Sequence, residues 1–126
     1  MANWTPGGFI GKVFALGARY VAPPEGIPAP VMWGEEEVAR RRLGPHASEV
    51  RTARRMAELD FPFPPSEVVQ FMREYFGPTK VAFARLDAAG QAAYAADLEK
   101  LYIEHNQGGE GRTAIRGEFL EVIAVR

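Results

Sequence analysis

The sequence predicts an α+β domain, with about five helices packed on a small sheet of two to three strands. Three observations carry this prediction. Helical apolar spacing and helix-end signals recur in five separate segments. Phe119 to Val125 is an almost unbroken apolar run, the pattern of a strand covered on both faces. A chain of 126 residues with 47% apolar content supports one core and no more, so residues 1–126 are read as a single domain.

The elements follow in order. Ala2 to Trp4 read as the tail of a buried strand, Thr5 as a helix N-cap and Pro6 as the first helical position, where a missing N–H costs nothing. The helix then runs to Val21, with Phe9, Ile10, Val13, Phe14, Gly17, Tyr20 and Val21 on one stripe. Gly7, Gly8, Gly11 and Gly17 each cost about 1 kcal/mol against alanine in a helix interior, so close packing against a neighbouring backbone must compensate. Four prolines between Ala22 and Pro30 make the next segment a stiff extended loop.

Glu35 to Leu43 form a short helix with three glutamates at its start and three arginines at its end, matching the helix dipole, and Gly44-Pro45 stop it. Glu49 to Phe61 fits both periods. Intrinsic propensity favours a helix, but the segment runs into Phe61-Pro62-Phe63-Pro64-Pro65 without a helix stop, which favours a strand. Ser66 caps a helix to Phe76, Gly77-Pro78 end it, and Thr79 opens a short helix through Leu86. Asp87 caps a longer helix to about Asn106 that buries Tyr94, Leu98, Leu101 and Tyr102, and Gly108 to Gly111 form the turn into the final strand.

Composition removes several chemistries. Fifteen Lys and Arg against sixteen Asp and Glu leave no global field for a nucleic acid or an anionic membrane. The absence of cysteine removes disulfides, thiolate metal sites and thiol nucleophiles, and a cytoplasmic protein is the simplest fit. No run approaches the ~18 apolar residues that span a bilayer, so no membrane association is expected. His46 and His105 have no partner at ligand spacing, so no metal is expected. Neither a nucleophile elbow nor a phosphate or dinucleotide glycine loop is present. Glu35 to Glu37 follow the helix dipole, and Glu118 with Glu121 alternate near a strand end, so no residue is assigned a catalytic role. Between residues 40 and 55, six arginines and one glutamate give a local charge of +5, but no aromatic interleaves them as a single-strand binder would require. The aromatic residues near element ends and stripes, Trp4, Phe9, Phe14, Tyr20, Trp33, Tyr75 and Phe76, suit either core or pocket. Trp33 and Tyr75 are the most pocket-like because each adjoins a loop or helix end.

The segments NWTPGGFIGKVF, RYVAPPEGIPAPVMWGEEE, FPFPPSEVVQFMREYFGPT and EFLEVIAVR, in that order, resemble the C-terminal half of class I S-adenosylmethionine-dependent methyltransferases of the ubiquinone/menaquinone-biosynthesis-like type. The resemblance implies an α/β fragment with a largely antiparallel sheet. Asn3 to Pro6 would follow the family's fifth strand, Glu49–Phe61 would be its sixth, and Phe119–Val125 its seventh, inserted between the other two. The proline loop and short helix would belong to the substrate side, with Trp4, Phe9, Trp33 and Tyr75 as the substrate-facing positions. The family's glycine-rich loop, its ribose-binding acidic residue and its first four strands have no counterpart. No cofactor is therefore expected for this chain alone, and S-adenosylmethionine only if a cofactor-binding half completes it.

These features make a truncated or split methyltransferase, inactive alone, the leading expectation. The alternatives are a non-catalytic small-molecule or protein-binding module and an arginine-mediated nucleic-acid binder. The final strand is expected to keep one unpaired edge, which would recruit a second copy or a separately encoded cofactor half.

Overall fold

The computed structural model describes residues 1–27 and 29–126. In chain order it contains β1 (Ala2–Trp4), α1 (Phe9–Tyr20), a 3-10 turn (Pro30–Gly34), α2 (Glu36–Leu43), a second 3-10 turn (Gly44–His46) and β2 (Glu49–Phe61), followed by α3 (Pro65–Tyr75), α4 (Gly77–Ala84), α5 (Ala88–His105) and β3 (Thr113–Val125). Five helices on a small antiparallel sheet make this an α+β fold.

The sheet has the order β1-β3-β2, and β3 runs antiparallel to both neighbours, so β1 and β2 point the same way. Trp4 sits opposite Phe119 in one pair, and Leu59 opposite Ile115 in the other. The last strand thus lies between the other two, as the resemblance implied. β3 pairs with β2 along its whole length but with β1 only at Phe119, Leu120 and Glu121, so one edge of β3 is without a strand partner beyond that short stretch, and the outer edges of the sheet belong to β1 and β2. The ambiguous segment 49–61 is a strand along its whole length, each residue paired with one of β3, and this long-range ladder overrides local helix propensity. Exposed Arg51, Arg54, Arg55, Glu58 and Asp60 on this long edge strand discourage pairing with other chains.

Helices cover both faces. On one, Ile115, Leu59 and Phe61 pack beneath α1, α3, α4 and α5, whose Phe9, Val13, Val68, Phe83, Tyr94, Leu98 and Tyr102 form the main core. Each such buried side chain contributes about 1.5–3 kcal/mol. On the other, Leu120 and Val122 pack against Ala39 of α2 with Leu43 and Val50. Coverage on both faces holds only for the middle of β3, because Ile123 and Val125 near its end are 45% and 38% exposed. The strand also starts six residues before the apolar run, at Thr113, where Asn106 ties the turn together: its Oδ1 accepts from Gly108 and Ala114 N–H, and its Nδ2 donates to the Arg112 carbonyl.

Three helix starts differ from expectation for identifiable reasons. Thr5 is not the cap of α1: its hydroxyl donates to Glu118 Oε1 at 2.8 Å, its carbonyl accepts from Gly8 N–H, and the helix begins at Phe9. Gly7 and Gly8 therefore precede the helix. Gly11, inside its first turn, meets the anticipated neighbouring backbone: a Cβ there would lie 2.2 Å from the Pro6 carbonyl oxygen. In α3 the N-cap is Pro64, not Ser66. Gly77-Pro78 do not end α3 but open α4, where proline suits the first turn. Asp87 caps α5 as expected, its Oδ1 accepting from Gly90 N–H at 2.7 Å.

Candidate functional site

The C-terminal half of α1, the proline segment and α4 enclose a cavity of about 320 Å³. Val13, Phe14, Gly17 and Val21 form one wall, Pro23, Pro24, Pro30 and Val31 a second, and Pro78, Thr79, Ala82 and Arg85 a third, with Tyr94 of α5 also lining it. Pro23, Pro24 and Pro30 have no N–H to donate to a ladder, and the chain turns at Glu25 and Gly26, where Gly26 has a φ of 77; Pro28 lies outside the described residues. Gly17 leaves room for the phenol, since a Cβ there would lie 3.2 Å from the Tyr94 hydroxyl. The Tyr94 ring is held between Tyr20 and Phe83, at centroid distances of 5.1 and 4.7 Å.

Two hydroxyls interrupt this apolar lining. Tyr94 is almost fully buried, and burial raises its pKa above the ordinary 10.0, with the neighbouring Thr79 hydroxyl opposing the rise. Thr79 is 1% exposed, and its Oγ1 makes no hydrogen bond of normal geometry among the described residues. Among the described lining residues Arg85 is the only charged side chain, and no histidine or carboxylate is present to move a proton. S-adenosylmethionine presents an ammonium, a carboxylate, a sulfonium and a ribose diol, and this lining lacks carboxylates and amides to meet them.

The four substrate-facing positions implied by the resemblance are not brought together, and none lines the cavity. Trp4 lies half-buried on the sheet, edge-on to Phe119 at 6.3 Å. Phe9 is a core residue between Tyr102 and His105, at 5.0 and 5.2 Å. Trp33 sits in the first 3-10 turn beneath the Arg42 guanidinium, 4.5 Å from its ring centre. Tyr75 is 68% exposed near the end of α3, against Phe71. Trp4 and the Trp33 turn are nevertheless neighbours: a Cβ on Gly34 would lie 2.0 Å from the Trp4 carbonyl oxygen, and Asn3 Nδ2 donates to the Pro30 carbonyl at 2.8 Å. Thr79 and Tyr94, the polar groups of the cavity, had read as a helix opener and a core residue. No local signal distinguishes them, because an orphaned hydroxyl is a property of the assembled fold.

Part of the arginine patch is engaged within the chain. Arg40 binds Glu36 and the Val50 carbonyl, Arg42 covers Trp33, Arg51 pairs with Glu49, and Arg55 with Glu121. Hydrogen bonds from Thr52 and then Arg40 hold the Glu36 carboxyl below its ordinary pKa. His105 closes α5, with Nδ1 at 3.0 Å from the Leu101 carbonyl and Nε2 at 3.2 Å from Lys12 Nζ, and His46 lies in an exposed turn. Among the described residues no group of three His, Cys, Asp or Glu could hold a metal ion, and no helix is long and apolar enough to cross a membrane.

Fold and site together define a small α+β domain with an apolar cavity under a proline-rich strap. No protein-family model matches the chain. It is similar to an uncharacterized protein of Mycobacterium tuberculosis strain H37Rv, 30% identical over 98 residues that make up 77% of this chain and 36% of that protein. An uncharacterized protein of Mycobacterium bovis matches to the same extent. A second uncharacterized protein of the same Mycobacterium tuberculosis strain is 27% identical over 103 residues, 81% of this chain and 37% of its own length. The chain therefore spans little more than a third of the curated relatives it matches.

Proposed function

We propose that this chain is the C-terminal, substrate-side portion of a class I S-adenosylmethionine-dependent methyltransferase, without methyl-transfer activity on its own. One observation carries the reading: β1 and β2 run parallel on either side of an antiparallel β3, the arrangement of that family's sheet end. Methyl transfer in this class depends largely on holding a nucleophile in line with the sulfonium methyl, so the portion that binds the cofactor is indispensable.

That portion adds a further parallel strand to the outer edge of β1. Ligands of open α/β sheets bind beyond the carboxyl ends of the strands, and in β1 this end is Trp4, with the Trp33 turn beside it. Trp4 and Trp33 are thus the substrate-facing residues of this reading, and buried Phe9 and exposed Tyr75 are not. The competing occupant of the edge is a second copy of the chain. A cysteine-free composition supports a cytoplasmic location.

The experiment is a calorimetric titration of S-adenosylmethionine into the chain alone and into the chain mixed with the cofactor-binding half of a methyltransferase of this class. The reading predicts no binding to the chain alone and one-to-one binding by the pair, with methyl transfer lost when Trp4 or Trp33 is replaced by alanine. A pair that binds no S-adenosylmethionine, or a dimer of this chain that binds it unaided, refutes the proposal.

A further inference from the structure

We infer that the cavity between α1, the proline segment and α4 is a binding site for a small, largely apolar molecule bearing one hydroxyl or carbonyl group, which hydrogen-bonds to Thr79 and Tyr94. The inference does not rest on the methyltransferase reading. Every lining residue comes from this chain, so occupancy is measurable whether or not a cofactor half exists.

The size of the cavity, about 320 Å³, lies at the lower end of the roughly 300–1,000 Å³ usual for ligand pockets and suits a bicyclic aromatic or a compact aliphatic molecule. The walls set the chemistry. Val13, Phe14, Val21, Pro24, Val31 and Ala82 offer carbon surface, and no described lining residue carries a carboxylate or an amide side chain. Sugars, nucleotides and amino acids would each bury several polar groups without partners there. A single polar group on the ligand, by contrast, has a place to go. The Thr79 hydroxyl is buried in the wall and makes no hydrogen bond of normal geometry, and its polar neighbour there is the Tyr94 phenol, with which it interacts only weakly. One oxygen reaching this corner would replace the weak Thr79–Tyr94 contact with hydrogen bonds of normal geometry.

The test uses 2-naphthol and naphthalene as probes of one shape with and without the hydroxyl, titrated into the chain and followed by methyl chemical shifts of Val13, Val31 and Ala82. Saturable one-site binding is expected, with 2-naphthol about tenfold tighter, the value of one neutral hydrogen bond. Thr79→Val keeps the shape and removes the hydroxyl. It should abolish the preference for 2-naphthol while leaving the unfolding temperature of the free protein unchanged or raised. Ala18→Trp, at an exposed position on the cavity rim, should weaken both probes. Absence of saturable shifts at these methyls overturns the inference, and so does equal affinity for the two probes. Should Thr79→Val fail to fold, the two-probe comparison in the unmodified chain and the Ala18→Trp variant decide the question by themselves.

Discussion

Replacing Gly34 by alanine should destabilise the protein by an amount that follows from the contact between the first 3-10 turn and β1. The new Cβ would lie 2.0 Å from the Trp4 carbonyl oxygen, 2.7 Å from its carbonyl carbon and 3.0 Å from Thr5 Cα, all backbone atoms that cannot rotate away. The turn must then retreat by more than about 1 Å to restore ordinary contact distances. Overpacking of this kind costs about 1–3 kcal/mol, and the retreat also strains the Asn3 Nδ2 bond to the Pro30 carbonyl, worth about 0.5–1.5 kcal/mol. A loss of about 2–4 kcal/mol results. With an unfolding entropy near 2.1 cal/mol/K per residue, a chain of this length loses about 4 °C per kcal/mol, so thermal unfolding followed by far-UV circular dichroism should show a fall of about 8–16 °C. Gly44→Ala is the control, because nothing lies within 4 Å of its Cβ position and its backbone is already right-handed helical, with φ −53 and ψ −44. It should change stability by less than about 1 kcal/mol, in the favourable direction. If Gly34→Ala melts with the unmodified protein, the turn is not seated on the Trp4 carbonyl and the geometry assigned to the carboxyl end of β1 is wrong.

Two further outcomes test the frame around the cavity. Asp87→Ala removes the side-chain cap from α5 and should cost about 1 kcal/mol, or about 4 °C, with an unchanged outcome counting against the Gly90 hydrogen bond. Burial raises the Tyr94 and Tyr102 pKa values above the ordinary 10.0, and the hydrogen bond to Asp97 does so for Tyr20. Because the folded values exceed the unfolded one, the contribution of these phenols is complete below about pH 10 and lost as the pH rises beyond it. Urea midpoints should therefore fall above about pH 10, and Tyr102→Phe should flatten the decline; a level profile to pH 12 would contradict the burial of these rings.

Much of the fold was readable wherever local chemistry decides it. The charge order of Glu36–Leu43 and the cap at Asp87 placed α2 and α5 within a residue. Errors arose where a distant partner competes for a local signal. Thr5 looks like a cap, but Glu118 on β3 takes its hydroxyl, and Gly77-Pro78 look like a stop until the chain turns straight into α4. The strand at 49–61 could not be settled by period, because its arginines and alanines fit both readings and the deciding ladder is with residues more than fifty positions away. The cavity was illegible for the same reason. Its proline wall was visible only as a stiff loop, and the approach of Gly17, Thr79 and Tyr94 depends on how α1, α4 and α5 pack.

The central claim is that the outer edge of β1 receives a strand from a cofactor-binding portion. Met1 exchanges both of its backbone bonds with Val122 of β3 and Thr5 N–H donates to the Glu118 carbonyl, so the alternation of an antiparallel ladder turns the backbone groups of Ala2 outward. Amide hydrogen exchange at Ala2, measured with and without the cofactor-binding half of a methyltransferase of this class, tests this directly. The account predicts fast exchange in the chain alone and strong protection in the pair. Equal exchange in both states, with the two polypeptides shown to be associated, would contradict it.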